Sequence, residues 1–229
     1  TVPRIGPPLD ADDTPRRDRL VVEYNTTTDP TQNGLVKDTS GARNDATFFG
    51  TAFYSPSRQA FNSPNSAGML VRNSSLGPGA QNLTLCAWVK STGGWNATAN
   101  DTIIGVGPNS SSGHTSFQLC INTDKITLDM AQSSNFLEFP TTIADHRWYF
   151  IAMTYTGGNA FDNTRVYVDG VEISKPTTWT NGSSGTLNLP SAPDIGIGLR
   201  AGNGSSDHPA GYLNGLIAQP KIWNVALTT

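Results

Sequence analysis

Charged side chains are scarce in this chain. Asp, Glu, Lys and Arg together make up 14% of the 229 residues, against about 25% in ordinary soluble domains. The net charge is -3, and basic residues cluster only at Arg16, Arg17 and Arg19. A nucleic-acid-binding surface needs many Lys and Arg side chains to neutralise phosphates, so the sequence excludes nucleic acid as a partner.

Long hydrophobic runs are also absent. The longest apolar stretch, Trp148 to Tyr155, has only the length of a β-strand, whereas a membrane-spanning helix needs about 18 or more apolar residues. We therefore expect no membrane insertion. The first residues lack the charged and apolar regions of a secretion signal, so we expect such a signal to have been removed or to lie upstream.

Groups that perform catalysis are few. Glutamate occurs only at Glu23, Glu138 and Glu172, each isolated, whereas a retaining glycosidase needs two carboxyl groups about 5 Å apart. The histidines share no spacing typical of a metal site, and no Gly-x-Ser-x-Gly motif is present. The sequence therefore predicts a protein that is not an enzyme.

Cysteine is represented only by Cys86 and Cys120. They do not have the Cys-x-x-Cys spacing of metal or redox sites, and an even pair in a secreted domain indicates a disulfide. We therefore predict a bond between them. The alternative is two buried free thiols that pack as small hydrophobic side chains.

Ser, Thr and Asn take the place of the missing charged residues. Chance would give roughly four Asn-x-Ser/Thr sequons in a chain of this composition, and the sequence contains about twice that number. Most sequons lie in loops rich in Gly, Ser and Asn, where a glycan can extend into solvent. This abundance indicates an extracellular, cell-surface or virion-surface protein, and the alternative is an accident of composition. Asn82 opens a strand and suits a glycan least. The predicted glycosylation sites are Asn25, Asn73, Asn96, Asn100, Asn109, Asn181 and Asn203.

Short apolar stretches recur from Leu20 onward at intervals of about a dozen residues, separated by polar connections, which is typical of a sandwich or barrel. One of these predicted strands runs from Ala46 to Tyr54. We find no helical periodicity and predict little or no helix. Residues 1–18 are rich in proline and are predicted to be an extended arm or linker, followed by one β-domain over residues 19–229.

Four segments carry a family resemblance. They are residues 37–47, 147–155, 164–173 and 213–227, and the third contains Asp169-Gly170, which is typical of a two-residue hairpin turn with positive φ at both residues. In this order they resemble the laminin-G-like and pentraxin-like modules of the concanavalin A-like lectin/glucanase superfamily. The resemblance covers about residues 20–227. It implies an all-β, two-sheet antiparallel jelly-roll sandwich and a role in binding rather than catalysis.

The resemblance also implies a candidate calcium edge. Pentraxin-like modules take their calcium ligands from two loops, which here are residues 108–114 and 202–209. Asp207 is the one acid in these loops, because the family's other carboxylates are missing. Calcium is therefore an optional cofactor, with backbone carbonyls and Asp207, Asp38 or Asp101 as the candidate oxygen ligands.

Sugar recognition needs an aromatic platform with polar groups at its rim. Aromatic residues in polar loops are the best candidates, although Trp95 and Trp179 could instead fold back as lids on the sandwich. Trp88, Trp148 and Trp223 lie in strands and are assigned to the core. The predicted ligand-binding residues are Trp95, Trp179, Asp207, His208 and Tyr212.

The sequence as a whole predicts a non-catalytic extracellular recognition module that binds carbohydrate or a glycosylated surface. The main alternative is a structural or decorating subunit of an extracellular or viral assembly, in which the arm and the uncharged faces contact other protein subunits. A glycan-active enzyme, or an accessory domain of one, is the third hypothesis. The fold alone cannot choose among them, because one fold hosts many functions.

Overall fold

The strand Leu83–Ser91 illustrates how this sequence builds its sheets. Leu85, Ala87 and Val89 are buried in the core, whereas Trp88 and Lys90 alternate with them and lie half-buried on the opposite face. The computed structural model describes residues 17–64, 66–76, 82–96, 101–107, 116–130, 135–175, 185–201 and 211–227.

The described chain consists of β-strands and one helical turn. The strands are β1 (Leu20–Glu23), β2 (Thr31–Gln32), β3 (Leu35–Val36), β4 (Ala46–Phe49), β5 (Phe53–Ser55), β6 (Ala60–Ser63), β7 (Gly68–Val71), β8 (Leu83–Ser91), β9 (Asp101–Val106), β10 (Phe117–Ile121), β11 (Lys125–Met130), β12 (Asn135–Pro140), β13 (Tyr149–Tyr155), β14 (Thr164–Val168), β15 (Val171–Glu172), β16 (Ile195–Ile197) and β17 (Gly215–Trp223). The helix α1 (Ala160–Asn163) is capped by Asn159, whose side chain accepts from the Phe161 N–H.

The strands form two antiparallel sheets. The first has the order β15-β14-β13-β8-β17-β6-β5, with β1 paired to the far end of β17, and the second has the order β12-β11-β10-β9-β16-β7-β4-β3-β2. The strands alternate, so each sheet turns one apolar face inward, and Ile151 and Met153 of the first sheet share one buried core with Leu119 and Ile104 of the second. The predicted all-β sandwich with little helix is confirmed.

No helix in the described ranges is long and apolar enough to span a membrane. The predicted arm, residues 1–18, falls almost entirely outside the described residues and stays a prediction. The sandwich begins with β1 at Leu20.

The predicted strand Ala46–Tyr54 is wrong, because the chain leaves one sheet and enters the other within it. β4 belongs to the second sheet and β5 to the first. Between them Gly50 adopts φ 65, and a Cβ at this residue would lie 2.7 Å from the Ser66 carbonyl oxygen. Only glycine fits this conformation and this close approach without strain, which is why a continuous apolar pattern is interrupted here.

The predicted disulfide is also wrong, because the two cysteines lie on opposite outer faces of the sandwich. Cys86 is on the outer face of β8 and packs with Leu20 and Trp223. Cys120 is on the outer face of β10, with its sulfur 3.6 Å from the Thr102 hydroxyl. A disulfide needs Cβ atoms about 4 Å apart, whereas here the full thickness of two sheets separates the side chains. The alternative of two buried free thiols is the one observed.

We expect both thiols to be unreactive in the folded protein. Burial raises the pKa of Cys86 and of Cys120 to about 12, so little reactive thiolate forms at neutral pH. Iodoacetamide should modify neither cysteine at pH 8 in native buffer, and both in denaturant. Intact-mass measurement checks this, and a gain of two hydrogens on reduction would reveal a disulfide and contradict the fold.

The turn between β14 and β15 has the predicted type. Asp169 has φ 50 and Gly170 has φ 83, while Val168 pairs with Val171. The turn is also tied to β13, because the Asp169 carboxylate accepts from the Phe150 N–H at 2.9 Å. Two consecutive positive φ angles define a type I′ hairpin.

We expect Gly170→Val to lower the free energy of unfolding by about 1–3 kcal/mol, because a β-branched residue is strained at positive φ. Gly170→Asn is the matched control, since Asn tolerates this conformation and should lose less stability. Urea denaturation followed by circular dichroism measures both variants. Equal stability of Gly170→Val and the parent would show that the turn has another conformation in solution.

Candidate functional site

Trp95, predicted as an exposed platform, is buried, with 5% of its surface accessible. Its indole N–H donates to the Ala144 carbonyl at 3.2 Å, and its backbone N–H donates to the Asp145 carboxylate at 2.7 Å. The prediction of Trp95 as a platform is therefore wrong. Its ring folds back onto the sandwich, because both of its N–H groups find partners in the loop before β13.

Tyr212 lies on the outer face of the second sheet. Its ring stacks on Phe49 with centroids 6.4 Å apart and planes inclined by 12°, and both contact the small apolar cluster of Leu70 and Leu199. One ring face is therefore already covered, and a role of Tyr212 in ligand binding stays a prediction. Several predicted site residues lie outside the described residues: Trp179, Asp207, His208, Asn100, Asn109, Asn181 and Asn203.

The chain itself covers part of this second-sheet surface. A Cβ at Gly196 would lie 2.3 Å from the Leu199 carbonyl oxygen, and one at Gly105 would lie 3.3 Å from the Ala201 nitrogen. The segment after β16 therefore packs directly on strand backbone. Its Arg200 forms an ion pair with the buried Asp129 of β11.

Asp38 organises a loop rather than a metal site. Its carboxylate accepts four hydrogen bonds: from the N–H groups of Glu23, Ser40 and Asn44, each at 2.9 Å, and from the Ser40 hydroxyl at 2.7 Å. These donors occupy the lone pairs that a cation would need. The prediction of Asp38 as a calcium ligand is therefore wrong.

Asp101 is buried at the start of β9. Burial raises its pKa to about 6, although the Asn96 N–H, which donates to the carboxylate at 3.1 Å, opposes this shift. Within the part of the chain that the structure describes, no three His, Cys, Asp or Glu residues group as a metal site. Calcium binding by Asp101 or Asp207 stays a prediction.

The described sequons lie at the surface. Asn73, Asn82 and Asn96 are exposed, whereas Asn25 is half-buried. The Asn25 side-chain oxygen accepts from the backbone N–H and the hydroxyl of Thr27, at 3.1 and 2.7 Å. Glycosylation of these residues stays a prediction.

An open groove runs over the outer face of the first sheet. It consists of two adjoining depressions, of about 630 and 370 Å³, which share Arg58 and Trp148. These volumes are in the range of ligand-binding sites. The larger depression is lined by Ser57, Arg58, Asn62, Pro64, Lys90, Ser91, Thr92, His146, Trp148 and Leu216. The smaller is lined by Thr26, Thr27, Arg58, Gln59, Trp88, Trp148, Ala218 and Gln219.

One row of cross-strand neighbours gives the groove its aromatic floor. Trp88 of β8 is paired with Phe150 on one side and with Ala218 on the other. The Trp88 and Phe150 rings lie 5.4 Å apart, with planes inclined by 53°. On its other side the Trp88 indole is flanked only by the small side chain of Ala218. A depression therefore forms there in the outer surface of the sheet.

A second row supplies polar groups. Lys90 of β8 is paired with Leu216 of β17, and Leu216 is paired with Asn62 of β6. Lys90 follows Trp88 by two residues, so both side chains lie on the outer face, about 7 Å apart along the strand. The sheet register therefore places an aromatic residue, a cation and an amide on one surface.

Trp148 forms the wall between the two depressions. It precedes Phe150 by two residues and is half-buried. The loop before it is fixed, because the Ser91 hydroxyl accepts from the His146 N–H at 2.9 Å and donates to Asp145 at 3.2 Å. The buried Trp95, bonded to the same loop, supports this end of the groove.

A β-bulge shapes the other end. Ala218 pairs with Trp88, and Lys221 pairs with Cys86. Two residues of β17, Gln219 and Pro220, therefore lie opposite a single residue of β8. Proline cannot donate to a sheet ladder and is tolerated in a central strand only at such a bulge. Gln219 has φ 51, and its backbone N–H donates to the Thr26 hydroxyl at 3.2 Å.

Three of the nine non-glycine residues with positive φ in the described chain line the groove. Gln59, His146 and Gln219 have φ angles of 48, 59 and 51, in the left-handed region that few non-glycine residues adopt. Such residues persist where the surrounding structure holds them, and they are frequent at binding sites. Here the bulge and two loops hold all three along one groove.

The groove lining combines aromatic, cationic and hydrogen-bonding side chains. Among the described residues, its lining contains two tryptophans, two cations, a histidine and several amides and hydroxyls, but no Asp, Glu or Cys. A pair of carboxyl groups, as used in glycoside hydrolysis, is therefore not present in this lining.

The groove is not predicted from the sequence, because Trp88 and Trp148 were assigned to the core, whereas both are half-buried and line the groove. Side chains alternate between the two faces of a strand, so Trp88 lies on the same face of β8 as Lys90 and on the face opposite to the buried Leu85 and Val89. This alternation is a signal in the sequence that could have assigned Trp88 to the outer face of the sheet. Trp223, in contrast, is buried as assigned, although in a small cluster on the outer face.

A sequence model of the concanavalin A-like lectin/glucanases superfamily, of laminin G type, matches residues 63–229. Among curated proteins, no sequence matches the chain significantly. Similar solved structures include domain 4 of AbnA, a GH43 extracellular arabinanase from Geobacillus stearothermophilus, in complex with arabinotriose. It is 18% identical, with a TM-score of 0.61, and the alignment covers 92% of this chain and 94% of that chain.

Two further similar structures come from larger proteins. One concerns botulinum neurotoxin type C, whose cell entry depends on interaction with two ganglioside molecules (13% identity, TM-score 0.60, 93% of this chain and 49% of that chain covered). The other is Trypanosoma rangeli sialidase in complex with sialic acid (16% identity, TM-score 0.59, 98% and 34% covered). At these identities the likeness shows the fold alone.

The family match extends over most of the chain, and the two antiparallel sheets form the sandwich that the match implies. The chain therefore belongs to the concanavalin A-like lectin/glucanase superfamily.

Proposed function

We propose that this domain is a non-catalytic carbohydrate-recognition module and that the groove on the first sheet is its binding surface. The observation that carries the proposal is the pair of half-buried tryptophans, Trp88 and Trp148, in a groove rimmed by hydrogen-bonding side chains. A sugar ring has an apolar face that stacks on an indole and hydroxyls that bond to surrounding polar groups.

The rim offers the donors and acceptors that sugar hydroxyls need. Asn62 lies in the second row beside Leu216, and Gln59 and Gln219 lie at the smaller depression. The Gln59 amide is held in place, since its nitrogen donates to the Thr27 carbonyl at 3.1 Å. Fixed amides and aromatic rings reduce the entropy that is lost when a ligand binds.

The similar structures support a glycan ligand, because these proteins bind or interact with arabinotriose, gangliosides and sialic acid, respectively. We infer an extracellular location from the sequons and from the extracellular arabinanase among these neighbours.

We expect Trp88→Ala and Trp148→Ala each to weaken glycan binding on the order of tenfold or more, because each removes a stacking surface. The control is Tyr212→Ala, which removes a half-buried aromatic side chain from the other sheet. Binding of the purified domain to a glycan array, followed by titration of the best glycan, measures the effect. Circular dichroism confirms that each variant is folded.

Two outcomes would contradict the proposal. If Tyr212→Ala loses binding and both tryptophan variants retain it, the ligand site lies on the second sheet. If the parent binds no glycan and self-associates on a sizing column, the structural or decorating role replaces recognition.

A further inference from the structure

Most cations of the described chain are neutralised by a carboxylate. The Lys and Arg side chains in such ion pairs are Arg17, Lys37, Arg72, Lys125, Arg147, Arg165, Lys175, Arg200 and Lys221. Within the described residues, Arg58 and Lys90 form no ion pair, and both line the groove. Arg19 and Arg43 also form none there, and neither lines the groove.

Arg58 is placed by a tight turn. Its N–H donates to the Ser55 carbonyl at 3.2 Å, and the next N–H, of Gln59, donates to the Pro56 carbonyl at 3.3 Å. Proline at the second residue of a turn fixes φ and favours this geometry. The backbone at Arg58 is therefore rigid, while its side chain is exposed and lines both depressions.

Lys90 lies at the opposite side of the larger depression, on a central strand. Its backbone is fixed by pairing with Leu216, and the half-buried residue lines the depression. A rigid strand on one side and a rigid turn on the other thus present two positive charges to one depression.

We propose that the groove selects glycans that carry an anionic group, a carboxylate or a sulfate, held by Arg58 and Lys90 while the sugar stacks on Trp88 or Trp148. This inference rests on the proposed function and names the ligand class of the same site. An arginine fork binds the two oxygens of such a group in a bidentate manner.

The charge distribution of the whole chain supports this choice. The net charge is -3, so an acidic ligand is not attracted to the protein surface in general. A groove with unpaired cations and no carboxylate in its described lining creates a local positive potential, which directs an anionic ligand to this surface. A neutral glycan can accept hydrogen bonds from either cation but gains no charge–charge attraction.

The test is an array in which neutral glycans stand beside their sialylated, uronic-acid and sulfated forms. We expect the parent domain to bind acidic forms in preference to their neutral counterparts, and binding to weaken as salt rises from about 0.05 to 0.5 M because of screening. The sialylated and uronic forms report on a carboxylate, and the sulfated forms on a sulfate.

Variants separate this inference from the proposed function. Arg58→Gln and Lys90→Gln should each weaken binding of the best acidic glycan about two- to fivefold, as expected for partly exposed charges, and leave any binding of its neutral form unchanged. The control is Arg165→Gln, which removes a cation from β14 of the same sheet, outside the groove lining, and should change nothing.

Equal binding of acidic and neutral forms, dependent on Trp88, would overturn this inference and preserve the proposed function. Binding of acidic glycans that Arg58→Gln and Lys90→Gln leave unchanged would overturn it as well. If neither tryptophan variant affects binding, or no glycan binds, the proposed function fails, and this inference fails with it.

Discussion

The pairing of β17 with β8 is the interaction on which the rest of the structure depends. β17 lies in the middle of the first sheet, with β8 along one side and β6, followed by β1, along the other. This register directs Ile217 into the core. Because side chains alternate, the same register directs Leu216 and Ala218 outward, beside Lys90 and Trp88. A single register therefore determines both the stability of the sandwich and the composition of the groove.

Much of the fold was accessible from the sequence, because it depends on local patterns. The period of two predicted the sheets, and Asp169-Gly170 predicted the hairpin turn with its two positive φ angles. The disulfide prediction failed because it used cysteine count and compartment, without the faces of the strands. Cys86 alternates with Leu85 and Ala87 and therefore points outward, which argues against a bond through the core.

The groove was less accessible, because it is built from residues that are far apart in sequence. Alternation along β8 can place Trp88 on an outer face, but it cannot show that Ala218 is its neighbour. That pairing is set by the register between β8 and β17, which are separated by more than 120 residues of sequence and whose register shifts just after Ala218, where the Gln219 N–H donates to the Thr26 hydroxyl. For Trp95 the error has the opposite direction: a tryptophan in a polar loop was predicted to be exposed, but it is buried. Both of its N–H groups donate to the loop before β13, a contact that the local sequence does not indicate.

The two outer faces of the sandwich differ in how far the chain itself covers them, and this difference is the reason why we propose the ligand site on the first sheet. On the second sheet, glycines at Gly105 and Gly196 allow the segment after β16 to lie against the strands, and Arg200 of that segment is neutralised by Asp129. That surface is therefore partly filled by the chain's own backbone and charge. On the first sheet, the small Ala218 leaves a depression that no side chain of the described chain fills, and the cations beside it remain unpaired. A surface with open aromatic rings and unneutralised charge is stabilised most by a ligand that supplies both an apolar ring face and an anion.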